Sequence, residues 1–230
     1  MFYLNPTYLM YMIPAFILMA ITSWYVKAAY NKWSRVAAGS RFNGYEATRR
    51  LIASSGLHGL KIQGTPGEMT DHYDPRDKTV YLSGGVANSA SVAALAIAAH
   101  ELGHAQQDAE EYFPLKFRGV LVPLVNIGSN LGWILIMIGL LLQLTQIAWL
   151  GVLVFSGGAI FALVTLPVEF DASARAKRML AESGMIQTEA EMRGVSSVLN
   201  AAALTYVAGL VTAILQLLYY VSLISGRSRD

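Results

Sequence analysis

The 230-residue chain contains no cysteine. That excludes disulfides and any thiolate ligand to a metal, and it is compatible with chemistry on the cytosolic side of a membrane. Charge is scarce too: only 14% of residues are Asp, Glu, Lys or Arg, and the net charge is +2. So small a basic excess gives no electrostatic footprint for nucleic acid. There is no internal repeat and no low-complexity tract. Four stretches, 6–26, 120–144, 147–168 and 200–224, lack Lys, Arg, Asp and Glu altogether.

Each stretch is about 20 residues long, which is what a helix needs to cross the hydrocarbon core of a bilayer. A helix buried in a large soluble core would be shorter and amphipathic. With 54% hydrophobic residues and a positive mean hydropathy of +0.43, the composition points to four membrane spans and to the lipid bilayer as a partner. The first stretch has no basic segment before it, its first charge being Lys27, so it reads as a span and not as a cleavable signal. Phe2, Tyr3, Tyr8 and Tyr11 at one end, with Trp24 and Tyr25 at the other, suit the lipid–water interfaces.

Of the 17 Lys and Arg residues, eleven lie from Lys27 to Arg118 and four from Arg175 to Arg193; only Arg227 and Arg229 follow the last span. The positive-inside bias therefore predicts both basic segments in the cytoplasm and both termini outside. Five segments result: 1–26, the first span; 27–119, a cytoplasmic domain; 120–168, a membrane hairpin; 169–199, a cytoplasmic helical segment; and 200–230, the last span and tail.

Within the first polar segment, Asn43-Gly44-Tyr45-Glu46 leads into a helix ended by Gly56. Leu60–Gln63 and Thr79–Leu82 read as short strands, with Gly64, Pro66 and Gly67 breaking the first. Residues 89–108 predict a strong helix, capped by Asn88, Ser89 or Ser91, whose apolar core 92–99 is too short to span a bilayer. Thr145-Gln146 marks a tight hairpin outside. Pro167 marks the end of the third span, and a polar helix, 168–182, follows with Gly184 suited to its C-cap.

The chemistry lies in His100-Glu101-Leu102-Gly103-His104. On a helix, side chains at i and i+4 stand about 40° apart, so both imidazoles can share one tetrahedral zinc ion. Glu101 is offset toward the water such an ion would hold, which is the place for a general base. Gly103 leaves room for substrate backbone or a neighbouring strand. A catalytic zinc takes three protein ligands, and without cysteine the third must be His, Asp or Glu. Asp108, Glu110 and Glu111 lie too far along the same helix. The next acid is Glu169, which the antiparallel hairpin returns to the segment after His104. Asp171 would point to roughly the opposite side of its helix. His72 and Tyr73, in a turn between two strands, are candidate catalytic donors to the oxyanion of a tetrahedral intermediate. Arg175 is a candidate for orienting substrate or carboxylates, whereas His58 reads as structural.

His100-Glu101-Leu102-Gly103-His104-Ala105-Gln106-Gln107, preceded by Thr70-Asp71-His72-Tyr73-Asp74-Pro75 and Tyr81-Leu82-Ser83, and followed by Pro167-Val168-Glu169-Phe170-Asp171-Ala172-Ser173, resembles the bacterial YugP-type membrane zinc metallopeptidases. The likeness extends over roughly 43–200. It implies a neutral zinc peptidase fixed in the bacterial inner membrane. More distantly, the order of motif helix, membrane hairpin and Glu-bearing helix is similar to HtpX-type membrane gluzincins, which carry Glu-x-x-Ala-Asp after the hairpin. Here Ser173 stands where their supporting Asp stands.

The expected fold is a mostly α membrane protein: four transmembrane helices plus a small cytoplasmic α+β zincin-like domain with a short sheet. The expected activity is a Zn2+-dependent endopeptidase acting on polypeptides in or near the membrane. Two rivals frame it. One is a site-2-type intramembrane protease, which would need an acid within a span; the other is an inactive scaffold that retains the fold.

Overall fold

The computed structural model describes residues 5–227; Phe2, Tyr3 and Arg229 lie outside them. In chain order the elements are α1 (Pro6–Trp33), α2 (Gly44–Ser54), β1 (Lys61–Thr65), β2 (His72–Asp74), β3 (Thr79–Ser83), α3 (Gly84–Ala87), α4 (Val92–Ala109), α5 (Phe113–Leu141), α6 (Thr145–Phe155), α7 (Gly157–Glu182) and α8 (Glu189–Arg227). Four helical runs are long and apolar enough to cross a membrane: Pro6–Trp33, Phe113–Leu141, Thr145–Glu182 and Glu189–Gly226. The chain is thus a mostly helical membrane protein with one small sheet.

Each helix overruns the apolar stretch that announced it, because backbone hydrogen bonding continues into polar sequence where the bilayer no longer dictates composition. Pro167 does not end the third run as expected. It sits inside α7, which continues to Glu182. A missing N–H costs a helix one hydrogen bond, which packing on both sides of the proline can offset.

The chain divides into two compact units. One comprises Met1–Ser23, Lys116–Leu166 and Thr205–Asp230. Its helices pack through Ile136, Leu140, Ala148, Val152 and Ile224, joined by the rings of Tyr8, Tyr219 and Tyr220. Gly139 permits the tight α5–α6 hairpin, since a Cβ there would lie 2.4 Å from the Ala148 nitrogen. Outward, Leu124, Ile127, Leu141 and Leu153 are exposed, a surface that suits lipid and not water.

The other unit, Trp24–Leu115 with Pro167–Leu204, holds the polar sequence. Asn43 opens α2 with a capping box: its side chain accepts from the Glu46 N–H at 2.8 Å, and Glu46 accepts from the Asn43 N–H at 3.2 Å. Of the three candidate caps for α4, Ser91 is the one in place, accepting from the Ala94 N–H. The sheet has the order β1-β3-β2, with β1 parallel and β2 antiparallel to β3. Two expectations are corrected here. Strand β1 runs through Gly64 to Thr65, and His72–Asp74 form a third strand where a turn was expected. Strands β2 and β3 form a short hairpin: His72 faces Tyr81 across the ladder, and Asp71 accepts from the Ser83 N–H at 2.7 Å.

Helix α4 is the centre of this unit. Ala93, Leu95, Ala96, Ala98, Ala99 and Leu102 are fully buried, so small side chains let neighbours close around it. It ends at Glu110, and Glu111 takes a left-handed φ of 57°. That turn stops the acids after Asp108 from extending the helix.

Candidate metal centre

His100 and His104 lie one turn apart on α4, with their rings 4.8 Å apart and nearly perpendicular. Glu169 comes from α7, 2% exposed, and its Oε2 stands 3.3 Å from His100 Nε2 and 3.6 Å from His104 Nε2. One donor atom from each of the three lies within 4.8 Å of the others. Zinc bonds of about 2.0–2.1 Å in a tetrahedron set ligand atoms about 3.3–3.4 Å apart. The His100–Glu169 separation equals that edge and the His104–Glu169 separation lies a few tenths of an ångström beyond it, and two imidazoles with one carboxylate are a donor set that zinc accepts. The residues present fit the ion.

Burial works against a charged His104, but the Glu169 carboxylate beside it and the charge of Glu101 outweigh that and raise its pKa. Glu101 is 7% exposed, and its carboxylate takes part in no hydrogen bond or ion pair among the described residues. It is a buried carboxylate whose charge acts on His104.

Two helices can bring these groups together because they nearly touch. A Cβ on Gly103 would lie 2.5 Å from the Ala172 oxygen of α7. The glycine of the motif therefore makes room for the helix that carries Glu169; the neighbour is neither substrate nor strand.

Each histidine is held from behind. Ser173 Oγ lies 3.3 Å from His100 Nδ1, and Gln107 Oε1 lies 3.0 Å from His104 Nδ1. The hydroxyl of Ser173 thus occupies the supporting place itself. Asp171 does not join the ligand atoms. It accepts from Gln107 Nε2 at 2.9 Å and from Arg175 Nε at 2.6 Å, while Arg175 Nη1 donates to Glu110 at 2.7 Å. Arg175 thus bridges the two carboxylates of Asp171 and Glu110. Gln107 and Ser173 are supporting residues that the motif reading does not single out. Their signals were spacing: Gln107 follows His104 by three residues, and Ser173 follows Glu169 by four, so each shares a face with a ligand.

His72 and Tyr73 are engaged on β2, outside the ligand cluster. The His72 ring stacks on Tyr81 at 4.7 Å, and its Nδ1 lies 2.8 Å from the Thr70 carbonyl oxygen. Tyr73 donates to Asp108 Oδ2 at 2.6 Å. Burial, then that bond, pushes the phenol above its ordinary pKa, so Tyr73 remains a donor at neutral pH. Tyr73 and His58 line an open cavity of about 260 Å³ beside Ala105 and Asp108 of α4.

The family described as "Putative neutral zinc metallopeptidase" matches residues 8–225. A relative from Bacillus subtilis (strain 168), named "Putative membrane protease YugP", is 40% identical over 206 residues, covering 89% of this chain and 91% of the relative. No solved structure matches the chain. Over nearly its whole length, then, the chain belongs to the neutral zinc metallopeptidase family.

Proposed function

We propose that the protein is a zinc endopeptidase of the bacterial cytoplasmic membrane, hydrolysing membrane-associated polypeptides on the cytoplasmic side. The observation that carries this reading is the convergence of His100, His104 and Glu169 beside an uncommitted, buried Glu101. The catalytic apparatus would reside in 27–119 and 169–199, with the spans as its anchor; the Lys and Arg of both segments support the cytoplasmic side.

In this reading His100, His104 and Glu169 hold the metal. Zinc, when bound, supplies a Lewis acid for the scissile carbonyl and an acidified water. Glu101 takes the proton of the attacking water on its carboxylate and then delivers it to the leaving amine. Its burial keeps bulk water from competing for that proton. Strand β2, at the edge of the sheet and packed against α4, offers an extended substrate main-chain partners. Any contribution of His72 and Tyr73 then comes from that strand, through contact with substrate.

The test is Glu101→Gln in the purified full-length protein. Zinc should stay near one per chain while peptide hydrolysis falls by about 10²-fold or more. Hydrolysis at the wild-type rate would sink the mechanism.

A further inference from the structure

Gln107 is fully buried, and its amide touches three groups. Nε2 donates to the Val168 carbonyl at 2.8 Å and to Asp171 Oδ2 at 2.9 Å. Both are acceptors, and the Asp171 carboxylate is itself held by Arg175. The amide therefore has no choice of orientation: its NH2 must face α7, and its oxygen must face His104. An amide oxygen only accepts, so His104 Nδ1 must carry the hydrogen. A neutral imidazole so held has its lone pair on Nε2, the atom that faces Glu169.

We propose that Gln107 is the positioning residue of the metal centre, selecting the metal-binding tautomer of His104 and fixing α7 against α4 at the residue before Glu169. The proposal rests on His100, His104 and Glu169 being the zinc ligands. One side chain thereby sets the orientation of one ligand and the main-chain position of another. The neutral amide is required by its surroundings. A carboxylate at 107 would still accept from His104, but it would leave the Val168 carbonyl without this donor and set a second negative oxygen against Asp171. The negative charge stands one residue back, on Asp171, where Arg175 balances it.

The experiment measures zinc affinity of the full-length, detergent-solubilised protein by competition with a chelating dye, with thermal melting of the metal-free form as a control for folding. Gln107→Leu should bind zinc roughly 10- to 100-fold more weakly, the usual cost of losing a group behind a ligand histidine. Gln107→Glu should lose affinity comparably. The exchange Gln107→Glu with Asp171→Asn restores a donor at 171 facing an acceptor at 107, and should recover most of that loss. The chain has four histidines, so ring N–H signals of the zinc-loaded protein can be assigned directly. The Nδ1–H of His104 should be shifted downfield and slow to exchange in wild type, and should lose both features in Gln107→Leu.

Wild-type zinc affinity in Gln107→Leu would overturn the proposal. So would a paired exchange no better than Gln107→Glu, or a His104 ring N–H signal in the zinc-loaded protein that is indifferent to residue 107. His104→Ala, run in parallel, separates the two levels. If it too binds zinc normally, the ligand assignment has failed; if it loses zinc while Gln107→Leu does not, only the positioning role has.

Discussion

Substituting Gly103 by alanine tests whether the α4–α7 contact, and not the motif alone, builds the metal centre. The new Cβ would stand 2.5 Å from the Ala172 oxygen, 3.0 Å from its carbonyl carbon and 3.1 Å from its Cα. Carbon and carbonyl oxygen settle at about 3.3 Å at closest, so the helices must part by roughly 0.8 Å. All three atoms are main chain, and no side-chain rotation relieves them. Alanine gains about 1 kcal/mol of helix propensity over glycine, while overpacking costs about 1–3 kcal/mol. The net change in stability is therefore small, between near zero and a loss of about 2 kcal/mol. The metal centre is less forgiving. His104 is adjacent to the substituted residue, and Glu169 is three residues from Ala172. A comparable widening would take their 3.6 Å separation well beyond the tetrahedral edge of about 3.3–3.4 Å. Zinc affinity should fall by at least about tenfold, and kcat/KM by about 10²-fold, as ångström-scale misplacement does. Gly209→Ala, on α8 where a Cβ meets nothing within 4 Å, is the matched control. Thermal melting and chelator competition on both variants decide the matter. A Gly103→Ala protein that melts like wild type and binds zinc as tightly would refute the reasoning.

Glu169→Ala removes a proposed ligand and should weaken zinc more than about 100-fold, the upper limit for loss of a supporting group. Asp171→Ala removes only one of the two acceptors of the Gln107 amide, so its loss should be smaller; the reverse ranking, read by chelator competition, would overturn the assignment. For topology, the cysteine-free chain allows single introduced thiols. A cysteine at Lys78 should be shielded from impermeant reagents in intact cells, whereas one at Gln143, or at Ser228 beyond the described residues, should label. The opposite pattern would move the site to the other face.

Features that a single segment determines are legible in the sequence. The hydrocarbon core imposes long uninterrupted apolar runs, so the four spans can be read from composition alone. Asn43 and Glu46 carry their capping box within four residues. The two histidines of the motif need only helical spacing to share a side, with Glu101 offset from both. Features that depend on residues distant in sequence are not legible in this way. Strand β1 runs on through Gly64 because β3 lies parallel beside it, with Gly64 facing Leu82. Pro167 reads as a stop until tertiary packing carries α7 past it. Gly103 is recognisable as a place of close approach, yet its neighbour, the Ala172 main chain, is 69 positions away.

The supporting groups behind the ligands show the same division, and their chemistry has a consequence. A carboxylate behind a ligand histidine raises the basicity of that ligand. Here both histidines are backed by neutral groups, a hydroxyl at His100 and an amide at His104. The nearby carboxylate, Asp171, meets the site only through the Gln107 amide and is tied to Arg175. In the proposed ligand set Glu169 is the one anionic member, so a divalent cation held there would keep a net positive charge. Less charge donated through the imidazoles would leave a bound ion more electron-poor, favouring the polarising of a carbonyl over tight retention of the metal. The replacement of Asp by Ser at 173 thus moves the site's negative charge outward without opening a gap behind the ligand.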